Sequence, residues 1–419
     1  MHYQLDIPPR VMIGADVRTR VAQEAKNLGW SHVLVVSDPF HEKSGRTSEI
    51  TQLLSKADLK VSVYSGVTSE PDTKMVKHGL QQFEAHKCDG IIALGGGSVI
   101  DTAKTISVLA VNDGTVKQLM GTDTVTEPGI GVIALPTTSG TGSEATKVVV
   151  ISDSQSKLKM SGRSKAYVPS VAILDYKLTM SMPKPLTAAA GIDALTHAIE
   201  AYVSKQANDF TDLFALSAVR LIWGSIRQAW YDDSDEDARQ NMLIGSFQAG
   251  IAFSNSSVGL VHSMSEPIGA CFHVSHGLSN AMLLPAVTKF SVNGAPSRYA
   301  EIARCMDLAN SSVSDEECCQ MLINELLHLN RELEIPSPKS FGIKKTSYEE
   351  YIEKMANDAV AAGSTSNNPI IPTVEQIKGI YCKTYDTAGK TIGFTRRCPV
   401  CDKRLIGNAN YCGECGSKV

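Results

Sequence analysis

Strand-forming runs punctuate the chain as far as Leu174 and then stop, and no other feature limits its fold so tightly. Short apolar runs rich in β-branched residues stand at 32–36, 60–64, 90–94, 131–135, 148–151 and 171–174. Helical spacing fills intervals between them at 17–28, in a polar stretch after Asp38, and at 72–86. A β-α-β-α-β order implies a parallel, doubly wound sheet with helices on both faces. Beyond Pro183 only helical patterns are read, at 186–203, 209–230, 235–253, 300–308, 315–329 and 348–362. A turn at 367–373 precedes a last helix that runs to about Lys383. The expected architecture is an α/β half over residues 1–180 followed by an all-α half over 181–394. A chain of 419 residues is long enough for two or three such cores.

The helical half carries a metal-like constellation. His262, His273 and His276 are three of the ten histidines, and they fall within fifteen residues. Upstream, Asp193 and His197 stand four apart in a helical stretch, so the carboxylate and the imidazole share one face. Taken singly, each histidine is as readily a core or capping residue. Asp193, His197, His262 and His276 together offer one oxygen and three nitrogens, a donor set suited to Fe(II) or Zn(II) and poor for Mg or Ca.

The α/β half carries a nucleotide signature. Gly95, Gly96 and Gly97 directly follow a buried strand and open a helix, so backbone N–H groups and a positive dipole end can meet a pyrophosphate. Ser98 adds a hydroxyl donor. The spacing is not G-x-G-x-x-G, and the strand-turn-helix context is what gives it weight. A second loop, 136–146, is dense in hydroxyls and glycine and can bond phosphate, ribose or a carboxamide. Asp38, at the carboxyl end of its strand, can accept from ribose hydroxyls and would repel the extra phosphate of NADP, which favours NAD.

Charge and cysteine placement narrow the partners. The net charge is −4, so no basic field invites nucleic acid or an acidic membrane. The first ten residues lack an apolar core, and no run of about 18 apolar residues is present; a cytoplasmic protein without membrane spans is expected. Six cysteines are scattered, whereas Cys398, Cys401, Cys412 and Cys415 form C-x2-C, ten residues, C-x2-C. Four thiolates so spaced can close on a structural zinc, and a segment that short needs the metal to fold. The tail, 395–419, therefore resembles a zinc ribbon whose work is contact with another subunit or protein.

Several motifs now stand in one order: Gly95-Gly-Gly-Ser-x-x-Asp-x-x-Lys104, Thr137-Thr-Ser-Gly-Thr-Gly-Ser-Glu144, Gly191-x-Asp-Ala-x-x-His197 and His262-Ser-Met-Ser with His276-Gly-Leu-x-Asn280. Over about residues 5–385 the chain resembles the iron-containing (group III) alcohol dehydrogenases, whose fold is shared with glycerol dehydrogenase and dehydroquinate synthase. The resemblance implies one divalent metal, iron or zinc, on Asp193, His197, His262 and His276. It also implies NAD contacts at Asp38, Gly96, Gly97, Ser98, Asp101, Thr137, Thr138, Thr141, Ser143, Lys159 and Leu178. The implied reaction is reversible hydride transfer between the nicotinamide and a small primary alcohol or aldehyde, in a homodimer or larger homo-oligomer. The alternatives are a polyol enzyme of glycerol-dehydrogenase type and a reductase of short anionic aldehydes, for which Lys147 is the candidate tail-binding residue. A lyase of dehydroquinate-synthase type needs a basic pocket that residues 255–290 lack. Two departures stand out: Glu266 occupies a position where the family often has histidine, and the chain runs on past the helical domain. Glu266, His273 or a water then becomes the candidate for moving the proton.

Overall fold

The computed structural model describes residues 4–387 apart from Ser69 and Lys157, so the ribbon expected at Cys398, Cys401, Cys412 and Cys415 lies outside the described residues. Nine strands are found among them: β1 (Val11–Ile13), β2 (His32–Val36), β3 (Lys60–Tyr64), β4 (Gly90–Gly95), β5 (Gly121–Thr122), β6 (Val132–Pro136), β7 (Val148–Ser152), β8 (Lys159–Arg163) and β9 (Val171–Leu174). The helices of the same half are α1 (Val21–Asn27), α2 (Pro39–Lys43), α3 (Arg46–Ser55), α4 (Thr73–Ala85), α5 (Gly97–Leu109) and α6 (Val116–Leu119).

Six strands form one parallel sheet in the order β1-β9-β6-β4-β2-β3. The inner strands β4, β6 and β9 are buried along their whole length, as are four of the five residues of β2, which is why they read as unbroken apolar runs. Successive side chains feed opposite cores. Leu34, Val36, Ile91 and Ala93 pack with Val76, Phe83 and Ile100 on one face, whereas Val33, Val35, Ile92 and Leu94 pack with Val21, Ile50 and Leu54 on the other. The chain steps outward from β2 to β3 and then returns to β4 on the other side of β2, so the winding reverses between β2 and β4. Ligands of open α/β sheets bind in the crevice at that reversal, beyond the carboxyl ends of the strands.

One expected strand is placed differently. The 148–151 run does not join the parallel sheet. It lies in β7, which pairs antiparallel with β8, and β5 completes a separate three-stranded sheet. The burial of β7 and β8 alternates residue by residue, the mark of a hairpin with one face covered. The segment 17–28 also departs from one straight helix, beginning as a 3-10 turn at Val17–Arg20 before α1.

Strands end at Leu174, and from Lys184 onward the described chain is helical. The helices are α7 (Lys184–Val203), α8 (Asp209–Tyr231), α9 (Glu236–Asn255), α10 (Leu260–Phe272), α11 (His276–Ser291), α12 (Pro296–Cys305), α13 (Asp315–Glu332), α14 (Pro338–Phe341), α15 (Lys345–Ala361) and α16 (Val374–Thr384). Side chains of α7 are buried on nearly every side, as befits a helix enclosed by α8, α9 and α11. No helix among the described residues is long and apolar enough to cross a membrane.

Candidate metal centre and nucleotide cleft

Helix α7 sets out the first two ligands. Asp193 and His197 project from one face, as their spacing requires, and both side chains are buried. His262 comes from α10 and His276 opens α11, two helices not read from the sequence. Between them His273 caps α10 in the left-handed region at φ 56°, and Ser275 restarts the chain as the N-cap of α11. That sharp turn brings the two imidazoles to ring centroids 5.2 Å apart. One ligand atom from each of Asp193, His197, His262 and His276 lies within 4.8 Å of all the others.

Glu200 belongs to this centre and was not picked out from the sequence. It lies on the same α7 face, three residues after His197. Its Oε2 accepts from Nδ1 of His262 at 2.6 Å and from the Gly259 N–H at 2.9 Å, and its Oε1 accepts from the Val261 N–H at 2.6 Å. One buried carboxylate thus caps the start of α10 and leaves Nε2 of His262 with its lone pair facing Asp193 Oδ1, 3.9 Å away. Burial works against charge on the His262 ring, but the bond to Glu200 and the nearby carboxylates of Asp193 and Glu266 outweigh it and raise its pKa. His197 is held well below the usual imidazole range by burial and by the stacked ring of His262. Asn280, one turn into α11, donates from Nδ2 to Asp193 Oδ1 at 2.6 Å and lies 3.1 and 3.2 Å from Nε2 of His262 and of His276.

The donor set fits a divalent ion. An aspartate oxygen and three imidazole nitrogens converge, and the buried Nδ1 of His197 has no hydrogen-bond partner among the described residues. Such an arrangement of lone pairs is costly without a cation to accept them.

The nucleotide loops meet at the winding reversal. Asp38 follows β2, the three glycines close β4 and open α5, and Thr137 follows β6. The N-cap of α5 is Gly96, with no side chain bonded across the helix end. A Cβ on Gly97 would lie 2.7 Å from the Thr141 side chain, so only glycine lets the two loops approach so closely. That bare helix end and bare glycine turn form a cradle suited to a pyrophosphate.

The other expected cofactor residues divide by role. Asp38 Oδ1 caps α2 by accepting from the His41 N–H at 2.9 Å, while His41 Nε2 meets Thr137 Oγ1 at 2.9 Å. Asp101 and Ser143 bond each other at 2.5 Å, and Asp101 also accepts from the Val150 N–H, so this pair ties α5 to the second loop. Lys104, buried behind them, donates to the carbonyls of Ser143 and Val148 at 3.0 and 2.7 Å. Leu178 is buried and its carbonyl accepts from Arg46. Ser98, Thr138 and Thr141 remain partly open at the loop surfaces. Lys159 reaches from β8 towards α10, pairs with Glu70 at 2.9 Å, and places its Nζ 3.9 Å from where a Cβ on Gly269 would stand.

Two backbone contacts join this loop to the helical half. A Cβ on Gly140 would meet Ala190, one turn before Asp193 on α7, at 2.8 Å. Gly142, at φ 60°, packs against Ser246 and Gly250 of α9 just as closely. The hydroxyl-rich loop therefore sits one helical turn from the first metal ligand. Lys147, the candidate tail-binding residue, has its Nζ paired with Asp6 at 2.5 Å. Glu266 and His273 are both exposed, on α10 and at its end.

Residues 8–176 match the family described as iron-containing alcohol dehydrogenase, and residues 187–385 match the family described as Fe-containing alcohol dehydrogenase, C-terminal. An NAD-dependent methanol dehydrogenase from Bacillus methanolicus is 36% identical over 375 residues, which cover 89% of this chain and 97% of that protein. The crystal structure of 1,3-propanediol oxidoreductase superposes with a TM-score of 0.89 at 33% identity, covering 92% of this chain and 100% of that one. The structure of sulfoacetaldehyde reductase from Bifidobacterium kashiwanohense in complex with NAD+ superposes with a TM-score of 0.81 at 25% identity, covering 92% of this chain and 100% of that one.

Proposed function

The chain belongs to the iron-containing alcohol dehydrogenase family, and from that membership we infer that it is a metal-dependent, NAD-dependent alcohol dehydrogenase or aldehyde reductase acting on small primary alcohols and their aldehydes. The convergence of Asp193, His197, His262 and His276 one turn from the Gly140 loop carries the reading. A bound divalent metal supplies a Lewis acid for the substrate oxygen, and a bound nicotinamide gives or takes the hydride.

The rest is the work of the chain. Asp193, His197, His262 and His276 hold the ion, and Glu200 fixes His262 so that Nε2 faces it. The α5 N-terminus and Gly96, Gly97 and Ser98 hold the pyrophosphate, Asp38 the ribose, and Thr137, Thr138, Thr141 and Ser143 the nicotinamide side, with Asp101, Lys159 and Leu178 lining the remainder. Glu266 takes up the proton that an alcohol loses and His273, exposed at the end of α10, passes it to solvent. The residues of the α/β half bind and orient the cofactor; those of the helical half would hold the ion that polarises the substrate oxygen. The boundary falls near residue 180.

Three further parts of the reading concern the setting. The Cys398, Cys401, Cys412 and Cys415 tail holds a structural zinc and serves a contact with another subunit or protein. The enzyme is a homodimer or larger assembly, and it works in the cytoplasm without nucleic-acid partners. Stripping the divalent metal with a chelator should abolish turnover. His262→Ala should do the same while NADH binding, followed by its fluorescence, is largely retained. Full activity in the stripped protein sinks the proposal.

A further inference from the structure

His41 is the third residue of α2, and its ring is buried in the nucleotide cleft between the ends of β2 and β6. Nε2 lies 2.9 Å from Thr137 Oγ1 and 3.7 Å from Asp38 Oδ2. Nδ1 is buried and has no hydrogen-bond partner among the described residues. Burial is the largest influence on the ring and lowers its pKa, with Asp38 opposing and Arg46 adding to it, so the ring is neutral.

A neutral imidazole carries one N–H and one lone pair, and its surroundings decide which nitrogen holds which. A proton on Nδ1 would bury an N–H with no acceptor and turn the lone pair of Nε2 towards the Asp38 carboxylate. A proton on Nε2 meets the Thr137 oxygen and is drawn by that carboxylate. The second tautomer is favoured on both counts. Thr137 Oγ1 then accepts from His41, and its own hydrogen has to go elsewhere. No other group among the described residues bonds this hydroxyl. The Thr137 N–H donates to the Gly95 carbonyl at 3.1 Å, which seats the residue beside the glycine turn where cofactor oxygens are expected. We propose that His41 is a positioning residue for the cofactor: by donating from Nε2 it makes the Thr137 hydroxyl a fixed donor to an oxygen of bound NAD. With the opposite tautomer the hydroxyl would direct its hydrogen at the ring and present only lone pairs, which a phosphate oxygen repels. The proposal rests on the NAD-binding reading of this cleft.

The test has two parts. In metal-loaded protein carrying nitrogen-15 in its histidine rings, the His41 Nδ1 resonance, assigned by its loss in His41→Gln, should be that of an unprotonated nitrogen. A protonated Nδ1 overturns the proposal whatever the variants do. NADH affinity, followed by fluorescence, is the second part. His41→Leu and Thr137→Val should each weaken binding about fivefold, and the double variant should be no weaker than either, because both remove the same donated bond. His41→Gln keeps an N–H donor in place of Nε2 and should stay within about twofold of wild type. KM for NAD should follow these affinities, with kcat and KM for the alcohol within about twofold. Additive losses in the double variant, or a His41→Gln as weak as His41→Leu, overturn the proposal, because a ring that only fills space produces both. Wild type that binds no NADH overturns the nucleotide reading beneath it instead.

Discussion

Glu200 shows how much of the metal centre rests on a residue that touches no substrate. Its carboxylate bonds the His262 ring and two N–H groups at the start of α10, so Glu200→Gln should misorient the imidazole and weaken metal binding by about 10–100-fold. Competition with a chromogenic chelator measures this directly, and NADH affinity should not move. Asp38 invites a second substitution. If Asp38 accepts from the ribose as proposed, Asp38→Gly should raise the ratio of NADPH to NADH use by removing its negative charge, and kcat/KM for each cofactor reads it. Stability should fall by only a few tenths of a kcal/mol, because glycine is a tolerable replacement for the α2 cap. Glu144 gives a pH dependence. Burial lifts its carboxyl from 4.5 to about 7, and its Oε1 has no hydrogen-bond partner. The folded state thus holds a proton that the unfolded chain has released. The stability from this group is complete below about pH 4.5 and is lost as pH rises through about 7. Glu144→Gln should flatten that limb of the stability curve, read as urea midpoints across the window.

The elements differ in how openly their sequences declare them. Inner strands of the parallel sheet are buried on both faces, so 32–36, 90–94 and 171–174 stand out as apolar runs. The hairpin strand β8, Lys-Met-Ser-Gly-Arg, carries one apolar side chain larger than glycine and reads as loop until its partner is known. Helices α10 and α11 are harder still. Each contains a proline, at Pro267 and Pro285, and α11 is buried on too many sides to show a polar stripe. The clustering of Asp193, His197, His262 and His276 was legible because chemistry, not periodicity, marks them. Glu200 was legible in principle, since Asp-x3-His-x2-Glu puts all three on one helix face. Asn280 and Lys104 stood inside recognised motifs, but only the fold shows what they hold. At this scale Gly142→Ala is the informative change. It adds a Cβ at φ 60° and 2.7 Å from the Ser246 carbonyl, so it should destabilise by about 1–3 kcal/mol and raise KM for NAD by displacing the loop. Denaturant midpoints and steady-state kinetics check the two parts.

On the scale of the whole molecule, the dehydrogenase and the cysteine-rich tail should separate. Ending the chain near Phe394 should leave an enzyme that folds and turns over, with assembly or stability altered. Metal analysis should find two ions per chain in the intact protein and one in the shortened form. Retention of both ions would refute the division of roles. The arrangement of ligands has a further consequence, for the order in which the protein matures. Asp193 and His197 share α7 and are in place as soon as that helix forms, but His262 and His276 arrive only when α10 and α11 have docked against it. A chain in which α7 has formed but α10 and α11 have not docked should hold an ion with two of the four groups only. Tight retention becomes a certificate that two regions distant in sequence, α7 and the consecutive pair α10 and α11, have assembled. In a denaturation series, release of the ion to a dye should coincide with the loss of helical circular dichroism, instead of preceding it as at a surface-bound site.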